Sequence, residues 1–115
     1  MDDTSTTITD LKNFVEDFVQ ERHWSQFHNA KNLSMALSIE AGELMDIFKW
    51  NTNEECERMM SEKKTRQEAT DEIADVMIYA LAFANRNDIN IADSIDQKMI
   101  KNREKYPADK FKGHF

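Results

Sequence analysis

The stretch Leu33 to Trp50, LSMALSIEAGELMDIFKW, decides the fold. Leu33, Ala36, Leu37, Leu44, Ile47 and Phe48 recur at the i, i+3, i+4, i+7 spacing that lays one apolar stripe along an α-helix. Glu40 falls inside that stripe, and Glu43 follows one turn later on the same face. A purely structural helix would place Leu or Ala at both positions, because a buried carboxylate without a partner is destabilising and tends to take up a proton. Something must compensate for the two acids.

A second pair supplies the candidate. Glu72 and Asp75 in TDEIADVMIYALAFA have the same i, i+3 spacing, at the head of the most apolar run in the chain. Residues 44–71 lie between the pairs, enough for the chain to leave one helix, turn and return antiparallel. Four inward carboxylates repel one another unless divalent cations lie among them. Oxygen donors without thiolate or imidazole at matching spacing favour Mg²⁺, with Mn²⁺ as a substitute, over zinc.

Working outward, 115 residues make a single domain, and two Gly and one Pro leave few turn signals. Long 3.6-period segments rich in Ala, Met, Leu, Glu and Lys predict an all-α protein, a four-helix bundle. A formal charge of −7 argues against a nucleic-acid polymer or an anionic membrane as partner. The charge is uneven: Lys98, Lys101, Arg103, Lys105, Lys110 and Lys112 outnumber Glu104 and Asp109 at the C-terminal end. That end suits a small polyanion held near the acids, or equally a solvated helix terminus whose bases complement the macrodipole. Cys56 is the single cysteine, which excludes an intrachain disulfide and fits a reducing, cytoplasmic setting. The opening MDDTSTT is unlike a signal peptide, and the apolar run Val76 to Ala84 falls far short of the ~20 residues a membrane helix needs.

Four helices are predicted. Thr7 caps the first, Ile8 to Arg22, whose Leu11, Val15, Phe18 and Val19 face inward and read as structural. The corner His23 to Asn29, HWSQFHN, carries two readings: Trp24 and Phe27 plug the end of the bundle, or they stack on a planar ligand such as a nucleobase whose edge Ser25, Gln26 and His28 read. Asn29 caps the second helix, which runs to about Lys49. Gly42 within it is about 1 kcal/mol less favourable than Ala, which points to close approach of another backbone or of a metal cluster. Trp50 ends that helix as a packed terminus or a second stacking surface. Residues 51–64 read as a loop with one short helix, Glu54 to Met60.

The third helix, Thr65 to Asn85, is apolar on every face: Ala69, Ile73, Val76, Met77, Ala80 and Ala84 on one, with Ile78, Tyr79, Leu81 and Phe83 on the others. Four helices of one chain barely enclose it, so a homodimer or a dimer of dimers is expected. Tyr79 lies four residues beyond Asp75 on the carboxylate side. Asn90 caps the fourth helix, Ile91 to Lys105, which Pro107 stops. There Lys98, Asn102 and Lys105 share a face that suits a sugar or phosphate. Residues 1–7 and 108–115 read as mobile tails.

Glu40-x-x-Glu43, a spacer, then Glu72-x-x-Asp75 resembles the signature of the all-α nucleotide pyrophosphohydrolases, the MazG and dimeric dUTPase superfamily. RHWSQFHNAKNLSMALSIEAGELMDIFKW, DEIADVMIYAL and KMIKNREKYP, in that order, resemble its single-domain, dCTP pyrophosphatase-like branch. The resemblance implies cleavage of a (deoxy)nucleoside triphosphate, dCTP or a related dNTP, to the monophosphate and pyrophosphate, as house-cleaning of the nucleotide pool. It makes Glu40, Glu43, Glu72 and Asp75 the Mg²⁺ ligands and catalytic acids. It assigns the base and sugar pocket to Trp24, Ser25, Gln26, Phe27, His28, Lys31, Trp50 and Tyr79. Lys98, Asn102, Lys105 and Tyr106 would meet the phosphates or the sugar. Some relatives carry a His in the first helix near the base, and this chain has none there.

The residues themselves agree with that chemistry. Phosphoryl transfer asks for cations on the phosphate oxygens and an in-line water, which a carboxylate cage beside lysines provides without a Gly-rich phosphate loop. A di-iron carboxylate bundle would normally add Glu-x-x-His, which none of His23, His28 and His114 completes. A non-catalytic helical adaptor would have to bury four acids as interhelical salt bridges, a costly arrangement.

Overall fold

Most of the helices start where a short polar side chain satisfies their free amides. Thr7 caps α1 (Ile8–Glu21) reciprocally: its hydroxyl accepts from the Asp10 amide at 3.1 Å, and Asp10 Oδ2 accepts from the Thr7 amide at 2.9 Å. Asn29 caps α2 (Ala30–Phe48) by accepting from the Asn32 amide at 2.9 Å. Thr52 does the same for α3 (Asn53–Met59) at 3.2 Å. α4 (Lys63–Arg86) follows Glu62 without a side-chain cap. Asn90 caps α5 (Ile91–Lys105), accepting from the Asp93 amide at 3.0 Å. The structure, a computed structural model, describes residues 1–114 and is all-α, with no strand among the described residues. α6 (Ala108–Phe111), a helical turn after Pro107, occupies part of what the sequence reads as a C-terminal tail.

Between α1 and α2 the chain turns sharply. His23 takes a left-handed backbone with φ 55°, which ends α1 and leads into the 3₁₀ turn Trp24–Phe27.

The core sits where α1, α2 and α4 meet. Val15 and Val19 of α1, Leu33 of α2, and Leu81 and Ala82 of α4 are buried together, with Leu11, Tyr79 and Phe83 packed around them. Leu33 thus meets the end of α4 that holds Leu81, whereas Glu40 approaches Glu72, so α2 and α4 run antiparallel as the spacing of the acidic pairs predicts. Their pairing is the most extensive in the molecule, and α1 packs on α4 beside it. α5 is different. It contains no buried residue and packs on no other helix to a comparable extent. One chain alone therefore holds three long helices together and leaves the fourth beside them.

No other element crowds Gly42: beyond its own helix, a Cβ placed there would meet nothing within 4 Å. The close approach of another backbone expected at this residue is not made by any other element of the chain.

Candidate active site

The antiparallel pairing of α2 and α4 brings the acids together. One carboxylate oxygen from each of Glu40, Glu43 and Glu72 lies within 4.8 Å of the other two, and no comparable convergence of His, Cys, Asp or Glu occurs among the described residues. Glu40 and Glu72 are half-buried, and Glu43 is exposed. Glu40 Oε2 and Glu72 Oε2 are shut off from solvent without any hydrogen-bond partner. Such atoms demand a compensating group.

The electrostatics agree. Burial, then the carboxyl groups of Glu72 and Glu43 beside it, raise the Glu40 carboxyl to about 7. Burial is also the first cause of a raised Glu72, and the charges of Glu43 and Asp75 act in the same direction. No base relieves them: ion pairs among the described residues join Arg22 to Glu21, Lys49 to Asp46 and Lys64 to Glu68, all away from the cluster. Clustered oxygen donors with orphaned buried lone pairs and no adjacent cation fit a divalent metal ion. Asp75 lies close enough to influence Glu40 and Glu72, but stands outside the group of three and lines the neighbouring cavity.

That cavity has a volume of about 560 Å³ and is largely apolar. Phe14, Val15, Phe18 and Val19 of α1 form one wall; Asp75, Ile78, Tyr79 and Ala82 of α4 form another; Trp24 and His28 of the corner complete it. Phe18 meets Trp24 edge to face with centroids 5.7 Å apart, and the Arg22 guanidinium lies 3.6 Å from the centroid of the Phe18 ring. Such dimensions suit an aromatic ligand. α1, read from the sequence as structural, is therefore also a cavity wall. Phe14 and Phe18 are the signal for it, two exposed aromatics one turn apart on a helix that has other residues for its core.

Other predicted site residues lie elsewhere. Ser25 Oγ accepts from Gln20 at 3.0 Å, and Gln26 donates back to the His23 carbonyl at 2.9 Å, so both are engaged in holding the corner. Phe27 is exposed, its carbonyl accepting from Asn32, and neither Phe27 nor Lys31 lines the cavity. Trp50 is 87% exposed, beyond the far end of α2, with the Lys49 ammonium 5.4 Å from its ring. At 1.5 Å per residue the length of α2 separates it from the corner by about 28 Å. Lys98 and Lys105 are exposed on α5, Asn102 is half-buried against Met99 Sδ, and the exposed Tyr106 stacks edge to face on Phe111. The chain thus unites Glu40, Glu43 and Glu72, with Asp75, Trp24, His28 and Tyr79 around the adjoining cavity.

Two antiparallel helices that turn unpaired carboxylates toward each other, next to an aromatic-lined cavity, define a class: helical proteins built to hold a divalent cation beside a ligand. Comparison with known proteins makes the class specific, because the family model described as MazG-like matches residues 35–114. The chain belongs to the MazG-like family. It is 35% identical over 107 residues to dCTP pyrophosphatase 1 of Rattus norvegicus, covering 93% of this chain and 63% of that protein. To dCTP pyrophosphatase 1 of Homo sapiens it is 36% identical over 102 residues, covering 89% and 60%. The chain therefore spans somewhat under two thirds of the length of these relatives. The crystal structure of a pyrophosphatase from Archaeoglobus fulgidus superposes with a TM-score of 0.80 at 36% identity, covering 86% of this chain and 91% of that one.

Proposed function

We propose that this protein is a Mg²⁺-dependent nucleoside triphosphate pyrophosphohydrolase that converts a dNTP and water to the dNMP and pyrophosphate. The observation that carries this reading is the convergence of Glu40, Glu43 and Glu72, two of them with buried, unpartnered oxygens. The family and the names of the relatives supply the reaction, and dCTP or a modified relative of it is the favoured substrate. Removal of surplus nucleotides from the pool is the corresponding role, and the lone thiol of Cys56 suits a cytoplasmic setting. No helix among the described residues is long and apolar enough to cross a membrane.

Glu40, Glu43 and Glu72 would hold the metal, with Asp75 completing the set from the side of the cavity. Bound Mg²⁺ supplies positive charge to the phosphate oxygens and neutralises the acids around it. Glu43, the exposed member of the cluster, is open to solvent and takes the proton of the attacking water. Trp24, Phe18 and Tyr79 receive the base, which fixes the α-phosphate at the acidic end of the cavity beside Asp75. The apolar walls exclude competing water from the base but leave the phosphate end open.

Purified protein incubated with Mg²⁺ and each dNTP in turn, assayed for pyrophosphate, tests the proposal. The expected result is equimolar dNMP and pyrophosphate, fastest with dCTP or a modified deoxycytidine triphosphate, and none in EDTA. Absence of pyrophosphate from every triphosphate would return the chain to the adaptor reading.

A further inference from the structure

α1 turns more toward the cavity than its core face requires. Phe14 and Phe18 are one pair at i, i+4 and Asp17 and Glu21 another, and all four line the cavity beside the buried Val15 and Val19. Stacking on a base accounts for the aromatic pair. It leaves the two acids without a task.

The acids differ in their surroundings. Glu21 Oε2 lies 3.3 Å from Arg22 Nη1, and the same guanidinium packs on the Phe18 ring. Asp17 is exposed and is in no ion pair among the described residues. Its level in the cavity follows from the way α1 meets α4. Asn85 donates to the Lys12 carbonyl at 2.9 Å, and from there the α1 wall runs on from Phe14 to Glu21 while the α4 wall runs back from Ala82 to Asp75, so the two helices are antiparallel. Five residues beyond Lys12, Asp17 stands near the level of Ala80, which is about 7.5 Å from Asp75 along the helix axis at 1.5 Å per residue. That is the reach of a nucleotide from its α-phosphate to the outer edge of its base. With the phosphate beside Asp75, Asp17 meets the base edge, whereas Glu21 stands at the phosphate end.

We propose that Asp17 selects the base: it accepts a hydrogen bond from the exocyclic amine of a cytosine-type base and disfavours the keto pyrimidines. A carboxylate only accepts. Cytosine offers it an amine at ring position 4, where uracil and thymine present a carbonyl oxygen that it repels. The apolar walls cannot make this distinction, because Phe14, Val15, Val19, Ile78 and Ala82 present the same surface to either ring. Tyr79 and His28 can each donate or accept, and so favour neither. This selection names the substrate class of the reaction proposed above and rests on that reaction.

Relative kcat/KM for dCTP and dUTP, measured with Mg²⁺ by pyrophosphate release, tests it. Asp17→Ala should shrink the wild-type preference for dCTP by about tenfold, and Asp17→Asn, whose amide can donate to a carbonyl, by more. The ratio cancels any general gain from removing a negative charge near a triphosphate. Glu16, the neighbouring acid, accepts from Gln20 at 2.6 Å and does not line the cavity, so Glu16→Gln should keep the wild-type ratio. Asp17 variants that keep the ratio, a Glu16→Gln that loses it equally, or a wild type that does not favour dCTP over dUTP would each overturn the proposal. Calorimetric titration with dCMP and dUMP reads the selection without catalysis. A preference for dCMP that Asp17→Asn abolishes, in a protein that releases no pyrophosphate, would refute the proposed reaction and retain the role of Asp17; binding without preference, or no binding, would overturn that role.

Discussion

Glu40 and Glu72 show how burial among like groups holds a carboxyl away from its ordinary state. Both have an oxygen that neither water nor a donor reaches, and burial raises both above the usual carboxylate range, Glu40 to about 7. The folded metal-free protein therefore binds these protons more tightly than the unfolded chain, where a glutamate titrates near 4.5. The associated stability is fully present below about 4.5 and is lost as the pH rises through about 7. Thermal melts in EDTA should show the wild type losing more stability over that interval than Glu40→Gln/Glu72→Gln; parallel losses would contradict it. For Glu43 the expectation is kinetic. Glu43→Gln should lower turnover by ~100-fold or more, and its melting temperature in EDTA should be no lower than that of the wild type. Activity within tenfold of wild type would remove Glu43 from the mechanism. These acids are legible in the sequence because a carboxylate inside an apolar stripe contradicts the stripe. The divergent position of Asp75 is not, since i, i+3 spacing fixes the face of a helix but not the direction in which a side chain leaves it.

At the scale of elements, α1 is tied to the C-terminal end of α4 and the turn that follows it by two hydrogen bonds. Lys12 Nζ donates to the Ile89 carbonyl at 2.8 Å, and Asn85 Nδ2 donates to the Lys12 carbonyl at 2.9 Å. Other side-chain hydrogen bonds among the described residues join positions no more than eight apart. Because Phe14, Val15 and Phe18 of the same helix wall the cavity, the staple sets where that wall stands. Asn85→Ala should lower stability by about 1 kcal/mol and raise KM for the triphosphate with little change in kcat. An unchanged KM would make the staple structural only. Periodicity and caps reveal the long helices: Thr7, Asn29 and Asn90 all cap where the sequence places them. The start of α4 at Lys63 lies two residues before the predicted one, because Glu62 makes no side-chain cap and leaves no mark. The cavity wall on α1 is hidden for a different reason. An aromatic residue that packs in a core and one that faces a ligand have the same spacing, and only the neighbouring helix distinguishes them.

The whole chain has a radius of gyration of 17.1 Å, against about 13 Å for a compact chain of its length. A helix apolar on all sides announces this in the sequence, and Ile73, Met77 and Ile78 of α4 are indeed exposed in the single chain. The sequence does not reveal this exposure residue by residue, because apolar periodicity marks a face without saying what lies against it. The central claim nevertheless belongs to one centre: the acids between α2 and α4 are tolerated because a divalent cation neutralises them. Calorimetric titration of Mg²⁺ into metal-free protein just below neutral pH, in buffers of different ionisation enthalpy, tests it most directly. The account predicts saturable binding with proton release in the wild type and neither in Glu40→Gln/Glu72→Gln. Equal binding by the two proteins, or none by the wild type, would contradict it.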